Sequence, residues 1–411
     1  MISFDLTDEQ RMLQQTARDF AASAIVPCAE RIRKAEGEID PWQEVRPVFL
    51  HAAELGFTKL LLPEEHGGVG GSALDHAVVM EELGAADHGI AATYLNISAT
   101  APLIILHGGT DAQRAAWLPE IANADDFVLA SASSEPDVAG ADSFCPSPDP
   151  RIGLKSTATR EGDEYVLNGA KSGFSTNAGA ARGYFVMART DLAKPAREST
   201  AMFFVPADTP GLTVGKRTRL SGWETACQAE VILEDVRIPA DRRVGGEGSD
   251  AGMIFFRILP YLASGFAATF VGLARAAFDL AFAYAHERVS WGQPIIEHQA
   301  VSLKLADMAV EIEAARLMVW RAAAAADAGD PRAGMLYAPA AKTLAVDTAI
   351  RCAERAVKIL GSYGITREYP AARMLNDAWI GDSCDGTRDV LRLNIVQAMR
   401  MAAAGGPPPG H

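Results

Sequence analysis

Apolar residues recur at helical spacing through the first 125 residues, change to strand-like runs, and return to helical spacing toward the C-terminus. Thr7-Asp8-Glu9-Gln10 has the form of a capping box, a hydroxyl residue with Gln three positions on. Leu13, Ala17, Phe20 and Ala24 then repeat every three or four residues, which predicts a helix. Further helices are expected at 41–56, 72–86, 89–107 and 111–122. The stretch His66-Gly67-Gly68-Val69-Gly70-Gly71 separates two of them. It follows no clear strand and lacks the Lys-Ser/Thr of a P-loop, so it reads as a loop and not as a phosphate cradle.

Short runs of aromatic and β-branched residues follow at Phe127–Ala132, Tyr165–Leu167, Tyr184–Ala188, Ala201–Val205, Val231–Leu233 and Val236–Ile238. Arg160-Glu161-Gly162-Asp163-Glu164-Tyr165 has hairpin-turn chemistry. Strands this close together, with no helices between them, predict an antiparallel barrel or sandwich and not a βαβ sheet. Beyond about residue 250 three long apolar stripes appear: Phe266 to Ala281, Val301 to Val319, and Val346 to Leu360. Their alanine content permits close helix packing, and their plain reading is core. The expected α+β organisation is a helical domain over 1–125, an antiparallel β-barrel domain over 126–240, a four-helix bundle over 241–400, and a flexible tail over 401–411.

Length and charge narrow the function. The chain has 411 residues, room for two or three packed units. Its formal net charge is −14, which repels phosphate backbones and anionic lipid, so neither nucleic acid nor a membrane is an expected partner. The densest basic run, Arg31-Ile32-Arg33-Lys34, is short and helical. No apolar run is expected to reach the roughly 20 residues that span a bilayer. Five scattered cysteines (Cys28, Cys145, Cys227, Cys352, Cys384) support neither a disulfide framework nor a thiolate metal site. With an N-terminus that has no signal-peptide pattern, they lead to the expectation of a cytoplasmic protein.

No HExxH, GxSxG or strand-linked GxGxxG is present, and the eight histidines are dispersed, so no metal site is expected. The informative segments are Glu287-Arg288-Val289-Ser290-Trp291-Gly292-Gln293-Pro294-Ile295 with Glu297-His298-Gln299, and Gly361-Ser362-Tyr363-Gly364-Ile365-Thr366-Arg367-Glu368-Tyr369-Pro370 with Arg373 to Ala378 and Asp385-Gly386-Thr387. Earlier in the chain stand Pro63-Glu64-Glu65-His66-Gly67-Gly68, Asp163 to Gly169, and Pro239-Ala240-Asp241 before Gly245-Gly246-Glu247-Gly248. In this order the motifs resemble those of the acyl-CoA dehydrogenase family over nearly the whole chain. That family has helical, β-barrel and four-helix-bundle domains and binds FAD.

The resemblance implies roles for individual residues. Ser134, in Ser133-Ser134-Glu135-Pro136, would face the flavin pyrimidine, Phe174 would pack on the flavin ring, and Thr176 would donate near its N5. Arg288, Ser290, His298 and Gln299 match positions that contact the FAD of a neighbouring subunit, where a guanidinium suits a pyrophosphate. Lys358, Gly361 and Ser362 match the loop around the adenosine portion, and Thr387 and Arg388 would lie against the cofactor. Asp385 occupies the position of the family's catalytic Glu before Gly-Thr, and is one methylene shorter. It would take the proton next to a thioester carbonyl while a hydride leaves the β-carbon. Asp-Gly is also ordinary turn chemistry, which gives Asp385 a purely structural alternative. Ala141 and Tyr261 fall at substrate-facing positions.

Two departures stand out. The Arg that relatives carry near Ala263 is missing, with Pro260 expected to interrupt the region. The Gly-Ala-Gly-Ser loop appears as Asp137-Val138-Ala139-Gly140-Ala141-Asp142, with an insertion from Ser143 to Ile152. Together with the short base they suggest an acyl group bulkier than a straight chain, alicyclic or branched. The implied partners are an acyl-CoA or other acyl thioester, an electron-transferring flavoprotein, and further copies of the chain in a homo-oligomer, expected to be a tetramer. Two other readings remain open: a nitroalkane-oxidase-like enzyme that also uses an Asp base, and a redox-silent subunit of the same fold.

Overall fold

The computed structural model describes residues 4–125, 127–144 and 147–404. Helices α1 (Asp8–Phe20), α2 (Val26–Lys34), α3 (Pro41–Glu54), α4 (Ala73–Ala86), α5 (His88–Leu95), α6 (Ala101–Gly108) and α7 (Asp111–Asn123) form the first region. Thr7 caps α1, its hydroxyl accepting from the Gln10 amide while the Gln10 side chain returns the bond. The basic run lies on neighbouring acids, Arg31 on Glu44 and Arg33 on Asp87, so it forms no free cationic patch. The Gly-rich break at 66–71 is a loop.

The middle region holds strands β1 (Leu129–Ala132), β2 (Thr157–Glu161), β3 (Glu164–Thr176), β4 (Gly183–Arg189), β5 (Thr200–Pro206), β6 (Leu212–Arg217) and β7 (Gln228–Pro239), with one turn of helix, α8 (Ala196–Ser199), before β5. The expected hairpin joins β2 to β3 through Gly162 and Asp163, and Gly162 takes the positive φ of 62° that such a turn requires. The pairs β2–β3, β4–β5, β3–β7 and β6–β7 are antiparallel, but β1 runs parallel to β4 over four register pairs. The seven strands therefore make one mixed sheet and not the purely antiparallel arrangement expected. A crossover pairing of this kind leaves no local mark in the sequence. The two expected runs at 231–233 and 236–238 are one strand, β7, in which Asp235 adopts a φ of 50° between them.

The last region begins with α9 (Ala251–Glu287), continues through the small hairpin β8 (Val289–Ser290) and β9 (Gln293–Pro294), and adds α10 (Gln299–Asp327), α11 (Ala338–Leu360), α12 (Ala371–Ile380) and α13 (Arg388–Ala403). Pro260 does not interrupt α9, which runs unbroken through it. Of the expected tail, residues 401–403 extend α13, while 405–411 lie outside the described residues. α9 packs on α4, α10 and α11, and α13 lies along α11. The α4–α9 contact is close because of two glycines. A Cβ on Gly84 would sit 2.4 Å from the Thr269 carbonyl oxygen, and one on Gly272 would sit 2.1 Å from that of Glu81. Beside this seam, Arg275 of α9 holds Glu82 through two bonds of 2.8 and 2.6 Å, and Arg316 of α10 holds Glu81.

By length and composition two helical stretches, His88–Gly108 and Ala251–Glu287, could cross a membrane, contrary to the expectation of no such run. Their apolar windows are 94% and 67% buried inside the fold, where they supply its core.

Candidate active site

The turn that follows α12 carries Asp385, and it owes its shape to two left-handed residues, Asp385 with φ 45° and Gly386 with φ 83°. Asp tolerates this region better than most residues and Gly adopts it freely. Lys342 of α11 reaches the turn from beneath. Its side chain is buried, and its Nζ donates to the carbonyl oxygens of Cys384, Asp385 (3.4 Å) and Gly386 (2.5 Å). Asp385 opens to solvent, yet the protein crowded around its carboxyl raises its pKa above the usual carboxylate range, with the Lys342 ammonium opposing the rise. A raised pKa strengthens a carboxylate as a base.

Thr387 caps α13, its hydroxyl accepting from the Val390 amide at 3.3 Å. Arg388 lies against Asp347 and Asp382 in ion pairs. Those two carboxylates hold its guanidinium.

A second group forms where β1 meets the end of β3. Ser131 pairs with Thr176, and the Ser134 carbonyl accepts from the Ser172 amide at 2.9 Å. Ser134, Phe174 and Thr176 thus share one stretch of surface. Phe174 is 61% exposed, an unusual position for an aromatic ring on a strand. The hydroxyls of Ser131 and Ser172 are buried with no partner among the described residues. An exposed aromatic face beside spare hydroxyls fits the flat, hydrogen-bonding ring of a flavin.

Two anchors that sequence reasoning did not single out fix this surface. Asn177, fully buried with φ 65°, donates its side-chain amide to the Thr93 carbonyl of α5 at 3.1 Å, which ties the end of β3 to the helical region. Glu135, next to Ser134, accepts from the Lys155 amide at 2.6 Å, the Ser156 amide at 3.0 Å and the Lys171 ammonium at 2.7 Å. Burial alone would raise the pKa of Glu135, but Lys171 and these bonds hold it below the usual range. Glu135 in Ser-Ser-Glu-Pro-Asp and Lys171 in Gly-Ala-Lys-Ser-Gly sit among small and polar residues, so the sequence carries no local signal for this pair.

The remaining predicted residues lie at another end of the bundle. Arg288 ends α9 and is exposed. The Ser290 carbonyl is bonded by His298 Nε2 at 3.1 Å, which closes the small hairpin on the start of α10, where exposed Gln299 follows. Gly361, with φ 61°, ends α11, and Ser362 follows in a 3-10 turn. Tyr284, Tyr369 and Tyr363 stack edge to face at 5.7 Å each and bring this turn to the end of α9. Lys358 is ion-paired with Glu354 at 2.5 Å. Lys342 and Gly361 are 19 positions apart on α11, roughly 28 Å at 1.5 Å per residue. One chain therefore offers two separate sets of candidate cofactor residues.

Of the substrate candidates, Tyr261 stacks on His107 with centroids 5.4 Å apart, and its hydroxyl donates to the Ala326 carbonyl at 3.4 Å. Ala141 lies in the 3-10 turn Gly140–Phe144, and its side chain is outside the described residues.

Comparison with known proteins agrees in every region. The N-terminal, middle and C-terminal domain models of acyl-CoA dehydrogenase match residues 7–125, 130–236 and 259–400. The mitochondrial short-chain specific acyl-CoA dehydrogenase of Homo sapiens is 36% identical over 96% of this chain and 90% of its own. Cyclohex-1-ene-1-carbonyl-CoA dehydrogenase of Geobacter metallireducens is 34% identical over 96% of this chain and 98% of its own. Butyryl-CoA dehydrogenase from Megasphaera elsdenii superposes with a TM-score of 0.87 at 33% identity, covering 97% of this chain and 100% of that one. An acyl-CoA dehydrogenase from Bacillus anthracis, solved in complex with FAD, gives 0.88 at 26% identity over 98% of this chain and 68% of that one. With helices, sheet and helices in this order, and all three domain models matched end to end, the chain belongs to the acyl-CoA dehydrogenase family.

Proposed function

We propose that this protein is an FAD-dependent acyl-CoA dehydrogenase, an oxidoreductase acting on a CH–CH group, with Asp385 as its base. The observation that carries the reading is a carboxylate of raised pKa on a strained turn, at the position where the family places its base. Asp385 takes the proton from the carbon next to the thioester carbonyl and keeps it on its carboxyl. The Asp385 amide is the donor for the enolate oxygen that develops. Ser134, Phe174 and Thr176 would hold the flavin ring of FAD, which supplies the acceptor for the hydride leaving the β-carbon. The product is a trans-2-enoyl thioester.

The two separate residue sets support a homo-oligomer, and we infer a tetramer, in which Arg288, Ser290, His298, Gln299, Gly361 and Ser362 of one copy serve the cofactor of another. Exposed apolar residues on α10 (Leu303, Val310) and α13 (Leu393, Met399) offer the contact faces. An electron-transferring flavoprotein is the inferred acceptor. For the substrate we infer a compact acyl group, short, branched or alicyclic, in keeping with the relatives named for short-chain and cyclohexene-carbonyl substrates. Anaerobic flavin reduction by butyryl-, isobutyryl-, cyclohexanecarbonyl- and octanoyl-CoA tests the reading. Reduction fastest with one of the first three is expected. Reduction fastest with octanoyl-CoA overturns the compact-substrate inference, and no bleaching with any of them overturns the activity.

A further inference from the structure

Lys342 is a charged residue on the core face of α11, between Ala338, Ala345 and Val346, and is only 1% exposed. Burying an ammonium without compensation is costly, so the three carbonyls it meets must be its compensation. Those carbonyls belong to Cys384, Asp385 and Gly386, three consecutive residues, and an ammonium has three donors. Among the described residues no side-chain carboxylate forms an ion pair with it; the groups whose charge acts on it are Cys384, Asp385 and Asp382 of the turn and Arg388 of α13.

All peptide bonds here are trans, so the C=O and N–H of each peptide unit point in opposite directions. With the three carbonyls held on Lys342, the amides of Asp385, Gly386 and Thr387 must point away from it. Among the described residues none of the three amides donates a hydrogen bond, whereas the amides on either side do, Cys384 to Ile380 and Arg388 to Asp382. Because the three carbonyls converge on one ammonium, the amides behind them diverge, and the one on the same residue as the carboxylate, that of Asp385, is the donor left free beside the base. A cation on the carbonyl side also polarises each peptide and strengthens its N–H as a donor.

We propose that Lys342 is a positioning residue for the reaction, holding the 384–386 carbonyls so that the Asp385 amide faces, and binds, the enolate oxygen of the activated thioester. The proposal rests on the reading of Asp385 as the base. Lys342 touches no reacting atom and acts only through the turn.

The test uses the FAD-loaded protein with Lys342→Met, Lys342→Gln and Asp385→Asn made in parallel. Each is measured for FAD content, butyryl-CoA Kd, and flavin reduction rate across pH. Lys342→Met is expected to keep FAD and to bind butyryl-CoA within about threefold of wild type. Its reduction rate should fall by about 10²–10³, the usual loss for an oxyanion donor. The limb of its pH profile set by the base should move to higher pH, because the cation opposing protonation of Asp385 is gone. A merely structural lysine would not move that limb. Lys342→Gln, which keeps neutral donors, should fall between Met and wild type, and it carries the test if the Met variant loses FAD. A wild-type rate and pH profile in Lys342→Met overturns the proposal, as does loss of FAD in both Lys342 variants, which would make Lys342 a folding element. If Asp385→Asn reduces like wild type, the base reading has failed. If it collapses while Lys342→Met behaves as wild type, only the present proposal has.

Discussion

Replacing Lys171 by Met tests the account of how the flavin-facing surface is held. Lys171 is fully buried, and its ammonium bonds Glu135 at 2.7 Å and the Met187 carbonyl at 2.5 Å. Removing it leaves a carboxylate buried with only two amide donors. Breaking a buried pair from one side costs about 3–5 kcal/mol, because the remaining charge keeps its desolvation penalty. Unfolding entropy is about 2.1 cal/mol/K per residue. If all 411 residues melt together, a loss of about 4 kcal/mol lowers Tm by roughly 5 °C. If the sheet region melts as a unit of about 110 residues, the drop is roughly 17 °C. Thermal melts followed by far-UV circular dichroism and by flavin fluorescence separate the two cases. Because Glu135 adjoins Ser134, the variant should also lose FAD more readily on dilution. Adding Glu135→Gln should restore at least half of the lost stability, since no uncompensated charge then remains. A Tm within 1 °C of wild type, with FAD retention unchanged, would refute the reasoning.

Two further outcomes follow from packing and burial. Burial raises the pKa of Asp377 to about 6 despite Arg373 beside it, so the folded protein keeps a proton that the unfolded chain releases near 3.8. Wild-type stability should therefore fall as pH rises through the interval between these two values, by about 3 kcal/mol in all and by about 2 kcal/mol between pH 4.5 and 6.5, and level off above about pH 7. Asp377→Asn lacks the term, so the stability difference between wild type and variant, from urea midpoints at pH 4.5 and 6.5, should change by that order; a pH-independent difference argues against it. Gly272→Ala should destabilise by about 1–3 kcal/mol, because its Cβ would meet the backbone of α4. Gly140→Ala, with nothing within 4 Å, should be neutral in the same melts, and equal effects would discount the close-packing argument.

Much of the helical architecture was legible from periodicity, since an apolar stripe such as Val346, Ile350, Ala353 and Val357 admits few other readings. Strand β2 was legible only through the hairpin turn that ends it, and β6 was not seen, because Thr157–Glu161 and Leu212–Arg217 are largely polar and half exposed. The parallel pairing of β1 with β4 depends on contacts more than 50 residues apart in sequence, and no local pattern encodes it. At the site, Asp385 was legible because motif and turn chemistry coincide there. Its support was not: Lys342 lies 42 to 44 residues away, and Lys171 lies 36 from Glu135. Arg388 was legible as a charge beside the site, but its engagement by Asp347 depends on how α11 and α13 pack.

The central claim is that Asp385 takes the substrate proton, and Asp385→Asn isolates it, since the amide keeps size and removes the base. The measurement is anaerobic stopped-flow reduction of the bound flavin by butyryl-CoA, with FAD content checked by absorbance. The account predicts full FAD content and reduction slowed by about 10²–10⁴. Reduction at the wild-type rate would contradict it, and would make Asp385 a turn residue with the base elsewhere.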